Sequence, residues 1–372
     1  MNKERKNPLK TKKVLFIHKS SSGWGGAQQS VYDLINHFRK EFGKTVFVCN
    51  KGLLTKKIKE LKVKTYYLPI SSICFFPITI IYLIFILLIQ KPDIIHSNHR
   101  YATFLVQVIR NVFPLQYKIL HTARSLFNTK TYIHFLGDKI IAVGEAVRKN
   151  LIEEFKISSE KIEVIHNGIE LNHKKIKNIS MHQLFDMLKF ADKTVIGSIG
   201  TLIKRKGHCY LFEAVAKLPS SIQKQIILLV IGEGSLHNEL QAHVQKLGIT
   251  KYVKFLGHQD DIMRILNYCS FTVITSNQEG LPRVLVESYL NNKPVIAFDT
   301  EFITETIRHQ ETGITVPLYN ISALAHAIKF YVENPKIVDE HGKNGHRFAV
   351  EQFSYNKMVK RYRAVYQELL QV

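Results

Sequence analysis

Residues Thr194–Gly200 read TVIGSIG, an apolar run that ends in a glycine turn. This pattern is typical of a buried strand that leads through a tight turn into a helix. It occurs once before, where a strand predicted at Lys12–His18 runs into the glycine-rich turn Gly23–Gly26. Because the same strand, turn and helix open both halves of the chain, we expect two doubly wound units in tandem.

Further short apolar runs predict strands in both halves. They are Thr45–Cys49, Pro92–His96, Lys118–His121, Lys139–Val143, Ile226–Ile231, Val253–Leu256, Phe271–Thr275 and Pro294–Ala297. Strands that alternate with helices imply parallel sheets with both faces covered, so the predicted fold class is α/β. Ligands of such sheets bind beyond the carboxyl ends of the strands, which predicts a binding cleft between the two units.

Length and composition agree with this fold. A chain of 372 residues is typical of two domains. A composition of 45% apolar and 22% charged residues excludes a wholly disordered chain and a polytopic membrane protein.

The four cysteines lack disulfide or zinc spacing, so we expect reduced thiols at Cys49, Cys74, Cys209 and Cys269. The first apolar run, Val14–Ile17, is too short for a cleavable signal peptide, which predicts a cytoplasmic chain.

The net charge of +22 arises from 52 Lys and Arg against 30 Asp and Glu. Such a field attracts nucleic acid, anionic lipid surfaces or phosphorylated substrates, although solvated lysines alone would give the same composition. No zinc motif, RNA-recognition signature or helix-turn-helix is present, so no nucleic acid partner is predicted. A dinucleotide-dependent oxidoreductase is disfavoured because Gly23, Gly25 and Gly26 lack the G-x-G-x-x-G spacing.

The stretch Ile73–Ile89 contains no charged residue and approaches the length of a membrane span. A span is the least favoured interpretation, because it would separate strands of one sheet across a bilayer. The alternatives are a core helix and a helix whose outer face dips into a membrane. Preceding lysines favour the second through attraction to anionic lipids, and they are Lys56, Lys57, Lys59, Lys62 and Lys64.

The strongest chemical signal is the stretch Ser276–Ser288, which reads SNQEGLPRVLVES after a predicted strand. Its proline suits the first turn of a helix, with Glu279 in the loop before that helix and Glu287 inside it. The amides of Gly280 and Leu281 then form an anion site at the helix N-terminus. Carboxylates accept hydrogen bonds from sugar hydroxyls while amides bind phosphate, so a ligand carrying both is indicated. A helix cap and a surface ion pair are the alternative roles of the two glutamates.

Glu279 and Glu287 are separated by seven residues, with Gly-Leu-Pro after the first. This resembles the E-x(7)-E signature of the family-four retaining glycosyltransferases, which have the GT-B fold. Further landmarks of that family occur in the same order along nearly the whole chain. They are Gly25–Gln28, Pro92–His96, Val164–Glu170, Ile231–Gly234 and Phe255–Gly257.

The resemblance implies two Rossmann-like domains that face a cleft. We expect an N-terminal acceptor-side domain at 1–175 and a C-terminal nucleotide-sugar-binding domain at 190–350. The polar, basic stretch 171–193 is interpreted as the link between them. A final helix at 351–372 is expected to pack back on the first domain.

The resemblance also implies roles for the residues of the second domain. The family residue that matches Glu279 contacts the donor sugar and is assigned to catalysis, and the one that matches Glu287 binds the nucleotide ribose. Lys206 resembles the catalytic lysine that binds the donor diphosphate. Gly280 and Leu281 complete the predicted donor site.

Other candidate positions carry weaker signals. The family usually has an arginine where Thr201 stands, and Arg205 is the candidate that supplies the missing charge. His121 matches a catalytic family histidine near the donor sugar. Gly25 and Gly26 match a loop that approaches the sugar phosphate or the acceptor. Three further residues are candidates for shaping the acceptor site, or for purely structural roles, and they are His96, His99 and Arg124.

The implied enzyme moves a sugar from a UDP- or GDP-linked donor to a glycan or lipid-linked acceptor, in surface polysaccharide, lipopolysaccharide or glycolipid biosynthesis. No cofactor is predicted, and no metal, because Lys206 and Arg205 offset the charge of the leaving diphosphate. The protein is expected to bind peripherally to the anionic lipid surface at the inner face of the cytoplasmic membrane. The alternatives are a nucleotide-sugar epimerase of the same fold and, from another class, a basic nucleic-acid-binding protein.

Overall fold

The computed structural model describes residues 7–19, 25–70, 76–127, 137–169, 192–259, 261–279 and 281–372. The chain divides into two compact units. The first comprises Met1–Gly168 with Tyr355–Val372, and the second comprises Ile169–Ser354. Each unit is built on its own parallel sheet, which confirms the predicted α/β fold class.

The first unit has a sheet of seven parallel strands within the described residues. They are β1 (Lys13–His18), β2 (Lys44–Cys49), β3 (Lys64–Tyr67), β4 (Ile94–Ser97), β5 (Lys118–Ala123), β6 (Lys139–Ala142) and β7 (Ile162–Val164). Their order across the sheet is β3-β2-β1-β4-β5-β6-β7. The chain therefore switches direction across the sheet between β1 and β4, and doubly wound sheets bind ligands at such a switch point.

Helices cover both faces of this sheet. They are α1 (Gly26–Phe38), α2 (Leu53–Glu60), α3 (Phe76–Gln90), α4 (Arg100–Val112), α5 (Glu145–Glu153) and the C-terminal helix (Tyr355–Leu370), with 3₁₀ turns at Pro8–Thr11 and Ser159–Lys161. Successive side chains of β1 point to opposite faces. Phe16 packs in a core with α1, α2 and the C-terminal helix, while Leu15 packs in a core with α3 and α4.

The second unit has a sheet of six parallel strands within the described residues, in the order β10-β9-β8-β11-β12-β13. They are β8 (Thr194–Ile199), β9 (Ile226–Ile231), β10 (Val253–Gly257), β11 (Phe271–Ile274), β12 (Val295–Phe298) and β13 (Gly313–Val316). The helices are α6 (His208–Lys217), α7 (Ser220–Gln223), α8 (His237–Lys246), α9 (Ile262–Tyr268), α10 (Arg283–Leu290), α11 (Ile321–Glu333) and α12 (Pro335–Gln352), with 3₁₀ turns at Lys204–Lys206 and Thr250–Tyr252. The switch point of this sheet lies between β8 and β11.

The C-terminal helix belongs to the core of the first unit. Its Tyr362 and Tyr366 are fully buried there. The Arg363 guanidinium donates two hydrogen bonds to the Glu41 carboxylate, at 2.7 and 2.5 Å. Burial opposes ionisation of Glu41, but hydrogen bonds from Arg363 and His37 outweigh it and lower its pKa to about 2. The last helix of the chain is therefore held by both apolar packing and an ion pair.

All of the predicted strands are present, but three short ones were not predicted. These are β3, β7 and β13, each at an edge of its sheet. Strands β3 and β7 are partly exposed and carry polar residues, so they lack the continuous apolar run of a central strand, while β13 is mostly buried but only four residues long and begins with a glycine. Several predicted boundaries differ by one or two residues. The largest differences are that β4 begins at Ile94 and not at Pro92, and that β5 continues beyond His121 to Ala123. Most of the predicted link at 171–193 lies outside the described residues.

The apolar stretch Ile73–Ile89 forms most of α3, and its residues 73–75 lie outside the described residues. One face of α3 buries Leu83, Ile86 and Leu87 in the core. The opposite face exposes large apolar side chains, among which Ile81 is 64% and Phe85 61% exposed. No helix among the described residues is long and apolar enough to span a membrane.

Candidate active site

The switch point of the second sheet brings two sequence-predicted residues together. Lys206 lies in the turn after β8, and Glu279 lies in the loop after β11. These two strands are neighbours in the sheet, with Phe271 paired to Ile196. Because the strands are parallel, both following segments lie at the same carboxyl edge, where a ligand is expected.

The turn that carries Lys206 is fixed by backbone geometry. The 3₁₀ turn Lys204–Lys206 ends at Gly207, whose φ of +64° is in the left-handed region that favours glycine. A Cβ at this position would also lie 2.3 Å from the carbonyl oxygen of Thr275. The Thr275 hydroxyl in turn donates to the carbonyl oxygen of Lys206 at 3.1 Å. The turn after β8 is therefore held against the loop after β11.

Two cations surround the Glu279 carboxylate. The Lys206 ammonium donates a hydrogen bond to Glu279 Oε1, and Arg205 Nη1 lies 3.1 Å from Glu279 Oε2. Arg205 also donates to the carbonyl oxygen of Gln278. The side chains of Glu279 and Lys206 are 11% and 17% exposed. Burial opposes ionisation of Glu279, but Lys206 and Arg205 outweigh it and lower its pKa, so this carboxylate stays ionised at neutral pH.

The second carboxylate of the motif lies inside α10. Glu287 accepts a hydrogen bond from Arg283 Nε at 2.9 Å, one helical turn earlier. The predicted helix start was one residue early, because Pro282 precedes the helix and Arg283 is its first residue. Leu281 is buried beside this start, and Gly280 lies outside the described residues. The two glutamates thus contact different cations.

Thr201 is exposed at the tip of the turn after β8, and its backbone carbonyl accepts from Ile203 N at 2.9 Å. A neutral side chain therefore stands where the family has an arginine. Arg205, four residues later, directs its guanidinium to the same carboxylate that Lys206 contacts. Two cations are thus present at this edge without an arginine at Thr201. Their binding of a diphosphate stays a prediction.

The remaining predicted residues lie in the first unit. Gly25 and Gly26 form the start of α1, with Gly25 extended at a φ of −153°. His121 is buried within β5, and its Nδ1 lies 2.7 Å from the Thr103 hydroxyl. Burial and then the neighbouring His99, Arg100 and Arg124 lower the pKa of His121 to about 3. His121 is therefore neutral at physiological pH, and its catalytic role stays a prediction.

The three acceptor-site candidates have different surroundings. His96 is buried, with Nδ1 2.6 Å from the Tyr366 hydroxyl and Nε2 2.8 Å from the Thr122 hydroxyl. Both ring nitrogens are satisfied inside the core, which favours the structural role. His99 and Arg124 instead follow the carboxyl ends of β4 and β5, at the edge where ligands bind.

Sequence reasoning missed two asparagines that hold Arg124. Asn98 Oδ1 accepts from Arg124 Nη2 and Asn167 Oδ1 accepts from Arg124 Nη1, both at 2.9 Å. Asn167 lies within the quoted landmark Val164–Glu170, which was the one signal for it. In the part of the chain that the structure describes, no group of three or more His, Cys, Asp or Glu is arranged to hold a metal ion.

The fold defines the class of protein: two parallel-sheet α/β domains of the GT-B type. The family comparison is more specific. The model of "Glycosyltransferase Family 4" matches residues 24–173, and that of "Glycosyl transferases group 1" matches residues 182–348. Together the two matches cover most of the chain, and the chain belongs to this family of glycosyltransferases.

Individual relatives are about 30% identical to the chain over about half of its length. An N-acetylgalactosamine-N,N'-diacetylbacillosaminyl-diphospho-undecaprenol 4-alpha-N-acetylgalactosaminyltransferase of Campylobacter jejuni is 29% identical over 54% of this chain and 52% of its own. The lipopolysaccharide core biosynthesis glycosyltransferase LpsE of Rhizobium meliloti is 31% identical over 46% of this chain and 49% of its own. The chain thus spans about half the length of these curated relatives.

A solved structure extends the likeness in fold to the whole chain. The crystal structure of Anabaena HepE in complex with UDP-glucose superposes with a TM-score of 0.82 at 20% sequence identity. The match covers 96% of this chain and 100% of that chain. At 20% sequence identity, this similarity supports a shared fold only.

Proposed function

We propose that this chain transfers a sugar from a nucleotide-sugar donor to a glycan or lipid-linked acceptor, with retention of the anomeric configuration. The observation that carries the proposal is the cluster of Lys206, Arg205 and Glu279 at the switch point of the second sheet. Two cations suit the diphosphate of such a donor, and a carboxylate suits the hydroxyls of its sugar.

The cations act on the leaving group. When the bond between the anomeric carbon and the diphosphate oxygen breaks, its electron pair stays with the diphosphate, where negative charge grows. Lys206 and Arg205 are fixed beside this position before the reaction, so they stabilise the transition state without reorganising. They offset the diphosphate charge through side chains alone, which supports a metal-independent reaction.

The two glutamates act on the rest of the donor. Positive charge grows on the sugar ring as the bond breaks, and the ionised Glu279 stabilises it while accepting hydrogen bonds from sugar hydroxyls. We assign Glu287 to the ribose hydroxyls and the loop residues Gly280 and Leu281 to the diphosphate. The exposed Thr201 borders this donor site.

The acceptor completes the reaction on the face that the diphosphate leaves. An acceptor hydroxyl oxygen forms the new bond to the anomeric carbon, and its proton passes to an oxygen of the leaving diphosphate. This same-face attack retains the configuration without a carboxylate nucleophile. We assign the neutral His121 and the loop of Gly25 and Gly26 to positioning the sugar phosphate and the acceptor.

The relatives support a choice of donor and acceptor classes to test. The UDP-glucose bound to Anabaena HepE makes UDP the first nucleotide to test, with GDP as the alternative. The names of the two bacterial relatives refer to a lipid-linked acceptor and to lipopolysaccharide core biosynthesis. We therefore propose a surface polysaccharide or glycolipid acceptor.

A donor-turnover assay tests the function. The protein is incubated with UDP-glucose, UDP-N-acetylgalactosamine or GDP-mannose, with and without a bacterial lipid extract as the acceptor source. We expect one of the nucleotide sugars to release its nucleotide, and only when the extract is present. Proton NMR should show that the axial linkage of the donor sugar is still axial in the product. Turnover to an isomeric nucleotide sugar without the extract would support the epimerase instead.

We also propose that α3 docks on the anionic lipid surface at the inner face of the cytoplasmic membrane. The end of α3 contacts the lysine-bearing strand β3, because Gln90 of α3 donates to the Tyr66 hydroxyl of β3 at 2.7 Å. Lys64 Nζ lies 5.4 Å from the ring centre of Tyr66, and Lys59 Nζ lies 4.7 Å from that of Tyr67. Apolar insertion flanked by lysines suits an anionic lipid surface.

The membrane proposal predicts the effect of a double substitution. Ile81→Ser with Phe85→Ser should weaken binding to phosphatidylglycerol vesicles at least tenfold in a sedimentation assay, since burying each side chain contributes roughly 1.5–3 kcal/mol. Val350→Ser, which removes another exposed apolar side chain from the second unit, should leave binding unchanged. Equal sedimentation of the wild type and the double variant, or a wild-type dimer that the double variant dissociates, would contradict the proposal.

A further inference from the structure

The switch point of the first sheet carries a second set of polar side chains. His18 ends β1, Asn98 and His99 follow β4, and Arg124 follows β5. These three strands are consecutive neighbours in the sheet, so the residues share one carboxyl edge. No carboxylate belongs to this set, in contrast to the cluster of the second sheet.

Arg124 has only neutral hydrogen-bond partners. Its guanidinium donates to Asn98 Oδ1 at 2.9 and 3.3 Å and to Asn167 Oδ1 at 2.9 Å. Among the described residues, no carboxylate lies within ion-pair distance of it. Asp33 acts on it through space, but the Asp33 carboxylate accepts from Gln29 Nε2 at 2.7 Å. A guanidinium held among amides keeps its charge available for an anion.

Asn98 offers a donor in the same place. Its side chain is 7% exposed, and its Nδ2 is buried with no hydrogen-bond partner among the described residues. Because Oδ1 is committed to Arg124, Nδ2 is the free end of this amide. A buried amide donor without an acceptor costs free energy, which a ligand oxygen would remove.

The two histidines of this edge are neutral at physiological pH, so they add no charge to the edge. Burial, with Arg124 and His99, lowers the pKa of His18 to about 3, and burial, with Lys19 and Arg100, lowers the pKa of His99 to about 4. The permanently charged side chains that act on one ring or the other are Arg124, Lys19 and Arg100, and all three are cations. Arg100 is held nearby, 5.0 Å from the ring centres of Phe127 and Phe155. The electrostatic field at this edge is therefore positive.

We propose that Arg124 and Asn98 form an anion subsite that binds a phosphate or diphosphate group of the acceptor. This inference rests on the proposed function, because only a glycosyltransferase has an acceptor whose phosphate group could bind here. The guanidinium provides the charge and Asn98 Nδ2 an additional hydrogen bond. The acceptor is then a phosphate-bearing molecule, a class that includes the diphospho-linked lipid named for the Campylobacter relative.

Pyrophosphate binding tests the subsite without any transfer reaction. Isothermal titration calorimetry with inorganic pyrophosphate is performed in saturating UDP, which occupies the donor site. We expect wild-type protein to bind pyrophosphate and Arg124→Gln to bind it at least tenfold more weakly. Lys118→Gln is the matched control, since it removes an exposed charge at the opposite end of β5 and should bind as wild type does. Equal affinity of wild type and Arg124→Gln would overturn the proposal.

A second variant neutralises the subsite while keeping its shape. Asn98→Asp puts a carboxylate 2.9 Å from Arg124 Nη2, where it forms an ion pair. We expect this variant to melt no lower than the wild type and yet to lose pyrophosphate binding at least tenfold. Retained binding in a folded Asn98→Asp variant would contradict the proposal, as would a loss of UDP affinity in either variant, because the anion would then belong to the donor.

Transfer kinetics link the subsite to the acceptor. Arg124→Gln should raise KM at least tenfold for an acceptor glycan on a diphosphate lipid, and leave KM unchanged for the same glycan on a neutral alkyl chain. An equal change for both acceptors would overturn the assignment to phosphate. If no nucleotide sugar is turned over at all, the proposed function fails, while the calorimetric result still decides whether the anion subsite exists.

Discussion

Lys206→Met is expected to lower kcat/KM for sugar transfer by about 10²–10³-fold, the effect of removing one preorganised donor from a developing negative charge. Methionine keeps an unbranched side chain of similar length beside Gly200, where a Cβ, if one were added, would lie 3.4 Å from Lys206 Cε. Only the ammonium group is lost. The measurement is the initial rate of transfer as a function of donor concentration.

The control for this substitution is Lys204→Met in the same turn. Lys204 is exposed, so the variant loses one positive charge without changing the cluster around Glu279. It should retain transfer within about twofold, since the variant removes no fixed donor from the leaving group. We expect Lys206→Met to stay folded, because Arg205 Nη1, 3.1 Å from Glu279 Oε2, still compensates the Glu279 carboxylate. Thermal unfolding checks this. Wild-type kcat/KM in a folded Lys206→Met variant would contradict the assigned role.

Glu279→Gln is expected to lower transfer by about 100-fold or more and yet to leave UDP binding intact. The amide keeps the shape of the side chain but cannot stabilise positive charge on the sugar ring. UDP lacks the transferred sugar that Glu279 contacts, and the substitution frees Lys206 and Arg205 from their carboxylate partner. We therefore expect UDP affinity equal to or higher than that of the wild type, measured by calorimetry beside the transfer rate.

The matched control is Glu301→Gln, which removes an exposed carboxylate from the same unit. It should change neither transfer nor UDP affinity, since exposed charges are strongly screened. A folded Glu279→Gln variant that transfers sugar at the wild-type rate would exclude the role in the transition state. A variant that loses UDP affinity instead would assign Glu279 to nucleotide binding.

The central strands of both sheets could be predicted because burial on two faces demands continuous apolar runs. Thr194–Ile199 and Ile226–Ile231 are examples. The edge strand Lys64–Tyr67 could not, since none of its four residues is buried and it lacks the apolar run of a central strand. The helix Phe76–Gln90 was ambiguous for a different reason. Its sequence is apolar all round, and the fold alone decides which face the core covers.

The site was predictable where chemistry and spacing coincide. Glu279 and Lys206 stand in recognisable patterns, and the structure brings them into contact across adjacent strand ends. Asn98 and Asn167 were not predicted, because asparagine after a strand is an ordinary turn residue. Their relation to Arg124 arises when the segments after β4, β5 and β7 meet. His96 shows the converse, since a histidine at a strand end became a core residue.

Calorimetric titration of UDP into the wild type, Lys206→Met and Lys204→Met proteins tests most directly whether the diphosphate binds at the carboxyl edge of the second sheet. We predict that Lys206→Met weakens UDP at least tenfold, in line with the loss of one charge-assisted hydrogen bond, while Lys204→Met matches the wild type. UDP affinity that is the same in all three proteins would contradict the account.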